Sequence, residues 1–340
     1  MKKKSLFLFG ILLLNAVLLL VFLFFSRESG NEIAFQKQCF DLNKNKMEVV
    51  IIGHCEGQSA INPYYFDQPT FNLSQRDQSP LYTKKLTQFL NPQDTPSLKK
   101  VLININPFSF SSRHLPTSRY VRDLFLYFGV LPDFNRDLRD GLVNFSFFYD
   151  EIERFFAQHI YKTTDQGVHL ATSEYEKIES SESPTLFCNG YQESTNIFDT
   201  HLTKEFYSQY IQSFDFQDTD QGVENYDSIL NYLEDHNYQT FIILGPREST
   251  YFEYLKQQKS DLMQTFNQAI ETLIARHPNV KVLNFSESKL FGNEDFFEPN
   301  ILNQNGSEKI SKYLNKILKS NNLEKRVYKG VELDLLATGE

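Results

Sequence analysis

Three runs of apolar, mostly β-branched residues constrain this chain more than anything else in it. Met47–Ile52 (MEVVII), Lys100–Ile105 (KVLINI) and Thr240–Leu244 (TFIIL) are almost unbroken in their hydrophobicity, and they stop at Gly53, Asn106-Pro107 and Gly245-Pro246. A strand with one wet face alternates polar and apolar residues, whereas a strand covered on both faces has no reason to. A weaker run at Pro69–Leu73 and a further one at Val280–Phe285 complete a set of five. Helical patterns lie between them. Leu255, Leu262, Phe266, Ile270, Leu273 and Ile274 share one face of a helix that Ser249 or Thr250 can cap and His277-Pro278 ends. Ile310, Leu314, Ile317 and Leu318 form a shorter face after Ser307. Strands alternating with helices predict an α/β fold, a three-layer sandwich around a parallel sheet.

The chain opens with Lys2, Lys3 and Lys4, followed by 20 uncharged residues from Leu6 to Phe25. A helix of that length spans about 30 Å, the thickness of a bilayer's hydrocarbon core. Basic residues ahead of the span predict a cytoplasmic N-terminus, with the main domain on the extracytoplasmic side. A cleaved signal peptide is the rival reading, but no convincing small-residue cleavage site follows. The expected organisation is an anchor at 1–25, a polar linker at 26–46, an α/β domain at 47–320 and a tail at 321–340. Within the domain, residues 107–239 read as an insertion rich in Phe, Tyr and Asp, with helices at Tyr120–Phe128 and Tyr149–His159 and a polar loop at 162–185.

Charge excludes some partners. Setting aside the three leading lysines leaves 31 of the 34 basic residues against 43 acidic ones, a net −12. Such a domain repels nucleic acid and anionic headgroups. The three cysteines, Cys39, Cys55 and Cys188, allow at most one internal disulfide. A Cys39–Cys188 bridge suits a compartment outside the cytosol. No spacing matches a zinc site, and no cofactor is implied. His201 and Glu205, four residues apart, are too few for a metal site by themselves.

In parallel α/β sheets, ligands bind beyond the carboxyl ends of the strands. That rule selects Gly53-His54-Cys55, Asn106-Pro107, Gly245-Pro246-Arg247 and the segment after Phe285. Five stretches carry a resemblance there: VVIIGHCEGQSAINP from Val49, FNLSQRDQSPLY from Phe71, VLININPFSF from Val101, FIILGPRESTYFEYL from Phe241 and FFEPNILNQNGSEKISKYL from Phe296. In order and spacing they resemble the SGNH (GDSL-type) hydrolases, above all membrane-anchored bacterial members of the cell envelope. The resemblance puts Cys55 at the family's nucleophilic serine, Glu298 at its aspartate and Ile301 at its catalytic histidine. Cys55 and Glu298 are thus the candidate catalytic residues, with Gly53, Asn72 and Arg247 the candidates for oxyanion or substrate binding. Asn303 and Gly306 shape the turn into the last helix.

Ile301 cannot move a proton, and Glu56 disfavours a thiolate at Cys55. His54 is adjacent to Cys55, and neighbours in a tight turn are expected to point apart, so a base would have to come from elsewhere, such as His114 or His201. Two functions follow. One is a catalytically degenerate SGNH-like domain that binds or assists in surface-polysaccharide modification, with the glycan or a membrane acyltransferase as partner. The other is a thiol-dependent esterase or acyltransferase on acylated cell-surface glycan using Cys55.

Overall fold

The computed structural model describes residues 32–76, 78–110, 118–131, 177–178, 185–193, 207, 219–320, 323–330 and 332–333. Two compact units divide the chain. In the smaller, Ser118–Asp123 forms a short helix that continues as a π-helical stretch, Leu124–Phe128. Tyr120, Val121, Leu124 and Phe128 are buried, and the Lys37 ammonium lies 5.7 Å from the centre of the Phe128 ring.

The larger unit holds a six-stranded sheet: β1 (Val49–Gly53), β2 (Thr70–Asn72), β3 (Lys100–Asn104), β4 (Gln239–Leu244), β5 (Lys281–Asn284) and β6 (Val327–Lys329). Their spatial order is β2-β1-β3-β4-β5-β6, and every pairing is parallel. All five expected strands are present within a residue or two of their expected ends. The sixth lies in the tail, where a three-residue run is too short to stand out against irregular chain.

The unbroken apolar runs are explained by two-sided burial. Val49, Ile51, Leu102, Phe241, Ile243 and Leu283 join one core with Ile310, Leu314 and Ile317 of the closing helix α7 (Gln304–Lys319). The alternate residues, among them Val50, Ile52, Val101, Ile103 and Ile242, are equally buried. On their side α3 (Pro80–Thr87) packs on β1, and α4 (Thr219–Asp235) packs on β4 and on α6 (Ser260–Arg276). Preceding these in the chain are α1 (Glu32–Asn43) and α2 (Cys55–Ala60), while α5 (Ser249–Gln258) follows β4.

The single helix expected from Ser249 to Arg276 is two. Lys259, at φ −136° and ψ 40°, leaves helical geometry, so α5 stops and α6 begins afresh at Ser260. The region 107–239 also holds more regular structure than its composition suggests. It contains α4 and a small antiparallel sheet of Lys177–Ile178, Thr185–Phe187 and Gln192–Glu193. The expected helix at Tyr149–His159 lies outside the described residues.

Cys39 of α1 and Cys188 are disulfide-bonded, their Cα atoms 5.3 Å apart. The bond fastens the turn at 188–190 against edge strand β2. Asn72 N donates to Asn189 O at 2.8 Å. Gly190, at φ +84°, lets the turn approach so closely that a Cβ there would sit 1.7 Å from Asn72 O. This blunts an edge that would otherwise offer unpaired backbone groups. Among the described residues no helix is long and apolar enough to cross a membrane, and the expected anchor lies outside them.

Candidate functional site

The sheet order fixes where a site belongs. The chain lays down β1, moves out to β2, and crosses back to place β3 on the other side of β1. The carboxyl ends of β1 and β3 therefore flank the topological switch point, where successive connections diverge and leave a crevice. Gly53 pairs with Asn104 in register across this point. Gly53 has φ +143°, and a Cβ on it would lie 2.4 Å from Asn104 O. Only a glycine lets the strands converge so tightly just before the chain turns into α2.

Cys55 opens α2 as the lone cysteine outside the disulfide, and it is partly exposed. His54 Nδ1 lies 2.8 Å from Cys55 Sγ, and Nε2 lies 3.9 Å away. This corrects the expectation that the two side chains diverge. His54 keeps extended backbone (φ −79°, ψ 178°), while Cys55 is already helical. The change of conformation between them swings both side chains to one side. His54 Nδ1 turns to the sulfur instead of capping the helix, and its carbonyl accepts from Gly57 N at 2.8 Å. A thiol in contact with an imidazole can pass its proton to it and become a nucleophile.

Behind the pair lies a buried polar cluster that sequence reasoning missed. Glu56 is 3% exposed although it follows Cys55 directly. Its Oε1 accepts a hydrogen bond from Asn300 Nδ2. Burial pushes its carboxyl above the usual range, and the nearby Glu298 adds to this. The Arg247 guanidinium, Asn300 and Asn106 pull the other way. Arg247 is itself buried, and its Nη1 has no hydrogen-bond partner. Asn106 uses its Oδ1 to accept from Ser109 N and Oγ, which leaves its amide nitrogen near Glu56 but outside good hydrogen-bond geometry. Asn104, the last residue of β3, is 1% exposed with its Oδ1 unpaired. These groups come from four separate carboxyl-end segments.

Glu298 sits in the short hairpin Phe296–Glu298 and Ile301–Leu302, which Glu248 N pins by donating to Pro299 O at 2.8 Å. It lies at the same end of the sheet as Cys55. Burial raises its carboxyl as well, with Arg76 opposing. Ile301 is in the same hairpin and brings no chemistry. Glu248 is taken up in capping α5, accepting from Thr250 N and Tyr251 N at 2.9 and 2.7 Å.

Asn72 has a structural task. Its Nδ2 donates to Gly57 O and Ile61 O, both at 2.8 Å, and its Oδ1 accepts from Ser74 N at 3.0 Å. Both amide hydrogens are thus occupied in holding the end of α2 to β2. Asn303 caps α7, accepting from Asn305 N and Gly306 N at 3.0 and 3.2 Å, as expected.

The other described histidines are remote in role. His277 is clamped between Asp227 and Glu234, both at 3.1 Å, and His236 contacts Tyr232 O. His114, His159, His169, His201 and Glu205 lie outside the described residues. Among the described residues no group of three or more His, Cys, Asp or Glu side chains is arranged to hold a metal ion.

No protein-family model matches the chain, and no curated protein matches it in sequence.

Proposed function

We propose that this protein is a membrane-anchored, extracytoplasmic, SGNH-hydrolase-like enzyme that moves acyl groups on cell-surface polysaccharide through Cys55. The observation that carries the reading is the 2.8 Å contact between Cys55 Sγ and His54 Nδ1 at the topological switch point of a parallel sheet. His54 takes the thiol proton, and the sulfur attacks the acyl carbonyl of an ester. The tetrahedral intermediate collapses to a thioester on Cys55, and the imidazolium returns the proton to the departing alcohol. Attack by water or by a sugar hydroxyl then frees the thiol. The uncharged run from Leu6 to Phe25 supports the anchor, and the disulfide supports an oxidising compartment.

A second reading has its own support. With Ile301 at the family's histidine and the Asn72 amide occupied by α2, the domain is instead a non-catalytic binding or accessory module. Incubation with an activated acetyl ester separates the two. An acyl adduct on Cys55 seen by intact mass, absent in Cys55→Ala and formed at least about tenfold more slowly in His54→Ala, fits the enzyme. No adduct and no ester turnover would leave the accessory reading standing.

A further inference from the structure

A second concavity lies apart from Cys55, along the β2 edge. It has a volume of about 620 Å³ and is walled by the end of α1, the segment from Asn62 to Phe71 and the turn around Cys188. That volume falls in the range of small-molecule sites. We propose that this groove binds a stretch of neutral glycan. The inference deepens the reading above by placing the polysaccharide, and it rests on that reading only for the general class of polymer.

The lining carries the chemistry. Tyr64, Phe66, Phe71 and Phe187 bring four aromatic rings to one groove. Phe71 is a buried floor packed edge-on against Phe40, whereas Tyr64 is 65% exposed. The main chain under this exposed ring is fixed, and the ring rests against a neighbour. Tyr64 N donates to Asn62 Oδ1 at 3.0 Å, and its ring stands edge-to-face with Tyr65 at 5.3 Å. Tyr65 is in turn tied to Glu308 of α7 through its hydroxyl at 2.8 Å. A rigid, exposed ring costs little further ordering when a flat ligand face settles on it. The C–H face of a pyranose is such a face.

The polar lining matches hydroxyls and not charges. Asn43, Asn62, Gln68 and Asn189 contribute planar carboxamides, which the protein itself holds in place: Asn43 Nδ2 donates to Cys39 O, Gln68 donates to Glu48 and accepts from Lys100 Nζ, and Asn189 Oδ1 accepts from Tyr191 N. Asn43 Oδ1 and Asn62 Nδ2 stand outside these bonds, and each bonded amide keeps a second hydrogen or lone pair for a ligand hydroxyl. The charged side chains of the lining are Lys46 and Asp67, one of each sign, and Asp67 already pairs with Lys319 and accepts from Asn315 Nδ2 at 2.9 Å. In a protein of net charge −9, this groove is close to neutral. An extended peptide is the rival occupant. It would ordinarily add to the sheet edge, but at Asn72 that edge is already taken by Asn189 O. The disulfide keeps the walls in place, since Phe187 and Asn189 flank Cys188 and α1 carries both Cys39 and Asn43.

The test titrates the full-length protein with neutral hexasaccharides of β1,4-glucose, β1,4-N-acetylglucosamine and α1,4-glucose, and with a proline-rich peptide, reading saturation-transfer NMR and calorimetry. At least one glycan is expected to bind saturably. Tyr64→Ala, an exposed position that the core does not need, should weaken it about tenfold or more. Cys55→Ala should bind as the wild type does, which separates failure of the groove from failure of the nucleophile. Binding of none of the glycans, binding of the peptide alone, or glycan binding indifferent to Tyr64→Ala would each overturn the inference.

Discussion

Gly53→Ala should disable the protein out of proportion to one methyl group. Two costs add. At φ +143° an alanine sits in a backbone region that L-residues rarely adopt, worth about 1–3 kcal/mol. Its Cβ would also fall 2.4 Å from Asn104 O, roughly 0.9 Å inside even a close carbon–oxygen contact of about 3.3 Å. Relief requires β1 and β3 to part at their shared end. Forced overpacking of this kind costs about 1–3 kcal/mol. The expected loss is therefore about 2–6 kcal/mol, out of a typical total of about 5–15 kcal/mol. Urea unfolding followed by far-ultraviolet circular dichroism measures it, with the slope checked for constancy between variants. Alkylation of Cys55 by iodoacetamide, followed in the same samples, should change because the residues displaced are those that lead into His54 and Cys55. A loss below about 1 kcal/mol with wild-type alkylation would refute the idea that the β1–β3 contact sets the turn.

Other consequences can be measured in the same way. Burial raises Glu56 in the folded protein, so the folded state holds that proton more tightly than the unfolded chain. Its contribution is complete below the ordinary glutamate range and is lost as pH rises through the folded value. Glu56→Gln lacks this loss, so its stability relative to wild type should climb from acid toward neutral pH, and parallel stability curves would contradict the assignment. Arg247→Met should push the Glu56 carboxyl further above the usual range, since it removes the cation that opposes the effect of burial; an unchanged Glu56 titration by NMR would show that the two do not face each other. Replacing Cys39 and Cys188 by alanine should cost about 2–5 kcal/mol and expose the Asn72 amide, otherwise bonded to Asn189 O, to hydrogen exchange.

The sheet could be read from the chain because its strands are buried on both sides and therefore uniformly apolar, and the carboxyl-end rule then led to Cys55. Helix α4 is also written there, with Tyr226, Ile229, Leu230 and Leu233 at helical spacing, but the aromatic and acidic residues around it mask that period. The acid cluster was not legible. Glu56 and Asn300 are 244 residues apart, and nothing local marks the glutamate after Cys55 as one that turns inward. The role of His54 was not legible, because sequence adjacency says nothing about the backbone change that brings its ring onto the sulfur. Asn72 looked like an oxyanion donor by position, and only its bonds to Gly57 O and Ile61 O show what it holds.

The placement of the three cysteines also has a kinetic side. The native bond joins residues 149 apart. Cys55, the thiol left free, is only 16 residues from Cys39 (55 − 39), and both have been synthesised long before Cys188. For flexible chains the shorter loop closes with an advantage of about 2 kcal/mol, from (3/2)RT ln(149/16). A nascent chain exposed to an oxidant will thus tend to trap Cys39 on Cys55 first. Maturation then requires thiol–disulfide exchange to hand Cys39 over to Cys188 and release the thiol that chemistry would use. A free thiol only 16 residues along the chain from a structural one therefore places a rearrangement on the route to the native bond, and Cys55→Ala should mature faster than the protein it came from.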